Sequence, residues 1–208
     1  MTLGKLITIE GTEGAGKSTA LQFIHDYLIK NHVDVVLTRE PGGTPLAEAI
    51  RQLLLFPAQQ EPIQIETELL LMFAGRAQHL HTLIIPALQS GKWVLSDRYI
   101  DATYAYQGGG RGIEHLFIQQ LDQQIVGKYY PHLTFLLDIP VNLGLKRAEK
   151  RGGGKDRIES EAEAFFNRIR EVYLERAKKD PERIKIIDAS QSIENVQQQI
   201  AGYLRDYI

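Results

Sequence analysis

The 208-residue sequence contains no cysteine, which removes any disulfide framework, thiolate nucleophile or cysteine-based zinc or iron–sulfur centre. A surplus of one charge is also lacking: 24 Lys and Arg face 26 Asp and Glu, a formal net charge of −2. Without a global basic field, charge-driven binding to nucleic acid or anionic lipid is disfavoured. No uncharged apolar run approaches the roughly 18 residues of a membrane span. The opening MTLGKLITIEG lacks the charged start, apolar stretch and cleavage site of a signal peptide. The expected setting is the cytoplasm, with no membrane and no nucleic-acid partner. What remains is an ordinary globular composition, 43% hydrophobic and 24% charged. The length suits one domain over residues 1–208, with room for a small mobile subdomain.

Apolar, β-rich runs at residues 6–9, 33–38, 93–96, 133–137 and 184–187 read as buried strands. Helical spacing lies between them, at 17–30 with Leu21, Ile24 and Leu28 on one face, and at 45–56, 66–89, 113–126 and 159–178. A last helix carries Ile193, Val196, Ile200 and Leu204. The alternation predicts an α/β fold, a parallel sheet flanked by helices, whose ligands gather beyond the carboxyl ends of the strands. Two glycine triplets, 108–110 and 152–154, interrupt the pattern. Each marks a close backbone approach to a ligand, a hinge, or a plain surface turn.

The strongest motif is Gly11, Thr12, Glu13, Gly14, Ala15, Gly16, Lys17, Ser18, a match to G-x-x-x-x-G-K-[ST] between a predicted strand and a predicted helix. Glycines let successive backbone N–H groups converge on phosphate oxygens, and the helix N-terminus adds partial positive charge. Lys17 supplies a mobile cation for the outer phosphates and Ser18 a hydroxyl ligand for Mg²⁺. A guanine-reading N-K-x-D segment is missing, as is a D-x-x-G after a strand, so a switch GTPase is poorly supported. After the third strand come Asp97 and Arg98. Asp97 sits where it would hold the metal's water shell or orient the attacking oxygen, or else cap a helix. Arg98 offers a planar fork for a phosphate, or an ordinary ion pair.

Taken together, segments 11–19, 38–44 (TREPGGT), 96–99 (SDRY), 106–112 (YQGGGRG) and 156–159 (DRIE) resemble bacterial thymidylate kinases over nearly the whole chain. The resemblance implies a P-loop NTPase-type nucleoside monophosphate kinase fold with a small mobile lid. It also implies in-line transfer of a phosphoryl group from Mg·ATP to deoxythymidine monophosphate (dTMP), and a homodimer. Residues 11–19, ending at Thr19, correspond to the ATP cradle, and Ser18 and Asp97 to the Mg²⁺ ligands. Glu13 falls at the acidic position facing the acceptor's 3′-hydroxyl. Arg51 matches a contact to the acceptor phosphate, as does Arg98, and Glu40 lies near that site, orienting Arg98 or Arg51. The family places an aromatic residue four before its base-reading arginine. Here that position is Met72, while Phe73 stands three before Arg76, which leaves the stacking residue open. Arg76 only donates, so it suits thymine O4 and is mismatched to the cytosine amino group. Thr103 and Gln107 match positions along the base's polar edge, or else lie on a helix surface. The six histidines show no metal-ligand spacing on one helix face and receive no catalytic role.

Between residues 146 and 158 lie Lys146, Arg147, Lys150, Arg151, Lys155 and Arg157 around the second glycine triplet. This reads as an ATP-covering lid or as a solvated basic helix end. One branch of the family carries an arginine in the P-loop. The branch with glycine, as at Gly14, supplies the cation from the lid, and Arg151 is the expected catalytic cation with Arg147 and Arg157 in support. Two rival functions stand beside this reading. One is a kinase for another nucleoside monophosphate. The other is a P-loop ATPase that drives a partner, against which the second anion site speaks.

Overall fold

The computed structural model describes residues 3–57, 62–152 (Arg151 in its backbone only) and 156–208. Five parallel strands form one sheet in the order β2-β3-β1-β4-β5, with β1 Leu6–Glu10, β2 Val35–Arg39, β3 Trp93–Asp97, β4 Leu133–Asp138 and β5 Ile184–Asp188. The centre of the sheet is buried on both faces, which is why β1 and β4 read as continuous apolar runs. Ile7 and Ile9 pack on one side with Ile24 and Leu28 of helix α1, Lys17–Lys30. Leu6 and Val94 face the other side, against Leu69, Leu80 and Ile118.

Helix α2, Pro45–Leu55, is capped by the Thr44 hydroxyl, which accepts from the Ala47 amide at 3.3 Å. The expected helix over 66–89 is one path with a widened turn inside it: α3 Ile65–His79, a π-helical stretch Leu80–Ile84 and α4 Ile85–Gln89. After β3 come α5 Ile100–Thr103 and a second π-helical stretch, Tyr104–Gly110, then α6 His115–Ile125. Beyond β4 lies α7 Val141–Arg151, which the sequence reading missed because only a narrow apolar stripe, Val141 and Leu145, marks it. Helices α8 Glu163–Lys179 and α9 Ile193–Arg205 complete the layers.

The first glycine triplet lies within a helical stretch, not in a surface turn. It is a helix-packing seam: a Cβ on Gly109 would stand 2.7 Å from Val172, and one on Gly110 would stand 2.5 Å from Phe165, both on α8. Arg168 closes the seam by donating to the Gly109 and Gly110 carbonyls at 3.1 and 2.8 Å. Of the second triplet, Gly152 ends α7 with φ 71°; Gly153 and Gly154 lie outside the described residues, as does Lys155.

Candidate active site

Strands β1 and β3 end beside each other, and a cavity of about 510 Å³ opens beyond them. The P-loop forms one wall. Gly16 takes φ 91° just before α1, a backbone state open to glycine at little cost. Gly14, with φ 70°, lies so close to α7 that a Cβ there would collide with the Gly144 carbonyl. A side chain at position 14 is thereby disfavoured with α7 where it stands. Lys17 donates to the Gly11 and Thr12 carbonyls at 3.1 and 3.0 Å and lies 3.7 Å from the Glu13 carboxylate. Burial, with Arg98 adding, pulls its ammonium below the usual lysine value.

Arg98 has φ 68°, strained for a side chain with a Cβ. That turn brings its guanidinium back over the P-loop, where it donates to Gly11 O at 3.1 Å and to both Glu13 oxygens at 2.9 and 3.0 Å. The Tyr106 ring lies under it at 4.7 Å, and the Tyr106 hydroxyl donates to Glu13 at 2.8 Å. Beneath this cluster Glu10 accepts from the Tyr99 amide at 2.8 Å and the Tyr173 hydroxyl at 2.7 Å. Burial, reinforced by Asp101, pushes the Glu10 carboxyl up to about 8. Asp97 lines the cavity, and its Oδ1 is buried without a hydrogen-bond partner among the described residues.

Arg76 is almost wholly buried. It donates to Glu40 at 2.8 Å, to the Thr103 hydroxyl at 2.9 Å and to Tyr99 O at 3.0 Å, so three of its five N–H groups are engaged. Glu40 therefore orients Arg76, not Arg98 or Arg51, and His79 supports it by donating from Nδ1 at 3.0 Å. Phe73 turns into the core with the Arg76 guanidinium 5.2 Å from its ring, whereas Met72 lines the cavity. Gln107 lines it too, its Nε2 held by Glu68 at 2.8 Å. Arg51 reaches over from α2 and donates to Pro41 O at 2.8 Å. Burial and the nearby Arg39 lower its pKa.

The expected lid divides into two parts. Arg147 stays on α7 and donates to Ala189 O at 2.8 Å and Ser190 O at 3.4 Å, beyond β5. Asp156 accepts from the Ile158 and Glu159 amides at 2.8 Å each, a tight turn that sets Ile158 against Leu54 and Leu55. Arg157 is thereby turned onto α2 and α3, where it donates to Leu54 O at 2.8 Å and Glu68 at 2.5 Å, away from the P-loop contacts expected of it. The Arg151 side chain lies outside the described residues.

Tyr106, Glu10, His79 and Glu68 were not singled out from sequence. Glu68 had a readable signal: it stands four residues before Met72 and eight before Arg76, on one face of α3. Glu10 and His79 offered none, because a carboxylate ending a strand and a histidine on a helix acquire meaning only from what is packed against them.

A family model described as thymidylate kinase matches residues 9–200. The chain is 54% identical over 206 residues to a thymidylate kinase of Chromohalobacter salexigens, covering 99% of this chain and 97% of that one. It is 54% identical over 200 residues to one of Ruthia magnifica, covering 96% and 97%. Among solved structures, thymidylate kinase from Ehrlichia chaffeensis is similar with a TM-score of 0.77 at 35% identity, covering 97% of this chain and 98% of that one.

Proposed function

The chain belongs to the thymidylate kinase family, and from that membership we propose how its residues share the transfer of a phosphoryl group from ATP to dTMP. It is a nucleoside monophosphate kinase that converts dTMP to the diphosphate. The observation that carries the division of labour is the Glu13–Arg98–Tyr106 cluster, a second charged site on the same cavity as the P-loop. In our reading the P-loop amides of residues 11–19 hold the ATP phosphates. Lys17 leaves the Gly11 and Thr12 carbonyls for the transferring phosphate. Arg98 and Arg51 grip the acceptor phosphate, and Glu13 both steers Arg98 and accepts from the sugar hydroxyl. Met72 covers the base, Arg76 donates to thymine O4, and Gln107 Oε1 accepts from thymine N3–H. Thr103 and Glu40 hold Arg76 in place. Arg151 completes the charge stabilisation from the lid, with Arg147 flanking the nucleotide. The protein forms no covalent intermediate; position and charge do the work.

Mg²⁺ fits this donor set. The partnerless Asp97 Oδ1 needs a hydrogen-bonding or metal-bound group, and Ser18 stands at the start of α1 beside the phosphate cradle. When bound with the nucleotide, the ion neutralises charge on the outer phosphates. We infer a cytoplasmic homodimer. Supporting the dimer, Leu46 and Leu53 on α2, Leu70 on α3 and Leu116 on α6 are exposed on three neighbouring helices.

A panel of nucleoside monophosphates with Mg·ATP tests the reading. ADP release that depends on dTMP, with other acceptors at least about tenfold poorer in kcat/KM, is the expected result. Release independent of any acceptor would instead mark an ATPase.

A further inference from the structure

Gln107 is only 1% exposed yet lines the cavity, and its Oε1 is buried without a hydrogen-bond partner among the described residues. A glutamine amide has a donor end and an acceptor end of nearly the same shape, so its chemistry toward a ligand depends on which end a neighbour claims. Here the neighbour is Glu68, also buried, which takes the Nε2 end at 2.8 Å. Arg111 donates to Glu68 at 3.2 Å and Arg157 at 2.5 Å. Burial alone would raise the Glu68 carboxyl, but the bond from Gln107 and the charges of both arginines outweigh it and hold the group below the usual glutamate value. An ionised carboxylate only accepts. Turning the amide over would set its carbonyl oxygen against that carboxylate and lose a buried hydrogen bond, so the orientation is fixed chemically.

We propose that Glu68 is a specificity-determining positioning residue: by claiming the Gln107 amide nitrogen it aims the amide oxygen at the base and admits only pyrimidines that carry a proton on N3. The proposal rests on the reading of Gln107 as a base contact. Thymine and uracil donate from N3 to that oxygen. Cytosine presents a lone pair at N3, so two acceptors face each other in a water-poor pocket, which adds to its mismatch with Arg76 at position 4. The discrimination is then set through Gln107, by a side chain on the cavity wall that acts on the base by holding the amide in place.

The test compares kcat/KM for dTMP and deoxycytidine monophosphate at saturating ATP, in the full-length protein. In Glu68→Gln the new amide both donates and accepts, so Gln107 is free to turn either way. The ratio favouring dTMP should fall at least about tenfold, through KM for the acceptors, with KM for ATP unchanged. An unchanged ratio overturns the proposal. Gln107→Leu separates the two layers of the reading. A raised KM for dTMP in that variant upholds the base contact, whatever Glu68→Gln does; an unchanged KM removes the base contact and the proposal with it. Should Glu68→Gln not fold for want of a partner to Arg111 and Arg157, Glu68→Asp keeps the charge and draws the carboxylate back from the amide. The same fall in ratio is expected, and a retained ratio is equally fatal.

Discussion

At the scale of single residues, the same side-chain type does different work according to what surrounds it. Arg76 and Arg98 each pair with a glutamate, but Arg98 is half-buried over the P-loop on a strained backbone while Arg76 is fully buried in the core. Truncating Arg76 would leave Glu40 buried with His79 alone, a change that costs about 3–5 kcal/mol when a buried pair is broken, so lost binding in that variant is inseparable from lost stability. Glu10 is the clearest residue on which pH should act. Its folded pKa of about 8 lies above the ordinary 4.5, so its contribution to stability is complete below about 4.5 and is lost as pH rises through 8. Thermal unfolding midpoints of the native protein should fall between pH 5 and 8 relative to Glu10→Gln, in which that titration is gone. Parallel curves for the two proteins would show that Glu10 does not titrate in this window.

At the scale of elements, α7 and the turn after it divide the basic segment between two tasks. The contact of Gly144 with the P-loop holds α7 against the phosphate cradle, and Arg151 closes that helix. The turn at Asp156 seats Arg157 on α2 and α3 instead. Arg151→Ala should therefore lower kcat at least about a hundredfold with little change in KM, as for loss of a transition-state arginine. Arg157→Ala should act mainly on KM for dTMP, by about tenfold, because it loosens Glu68 and the end of α2. Steady-state kinetics of both variants decide the matter, and a larger kcat loss in Arg157→Ala would exchange the two roles. The sequence showed the charge cluster of this segment but not its division, since a glycine run separates the arginines without saying to which neighbour each side turns.

At the scale of the whole molecule, three helices that pack in sequence, α2 on α3 and α3 on α6, leave leucines exposed, Leu53 and Leu70 among them. Leu53→Glu with Leu70→Glu should convert the proposed dimer to a monomer in analytical ultracentrifugation; a native protein that sediments as a monomer throughout would remove that part of the reading. The sequence by itself determined the strand–helix alternation, the glycine-rich motif with its lysine, and a basic residue, Arg98, after the third strand; Glu13, Arg51, Arg76 and Gln107 were marked through the resemblance to thymidylate kinases. The alternation and the glycine motif are legible because they depend on local pattern, apolar periodicity and a glycine run between a strand and a helix. Only the tertiary structure decided that Met72 lines the cavity while Phe73 joins the core, that Glu40 serves Arg76, that the 108–110 glycines pack against α8, and that Glu68 claims one end of Gln107. Each of these depends on which distant element arrives alongside, and hydrogen-bond partners 30 or more residues apart leave no period in the chain for a reader to find.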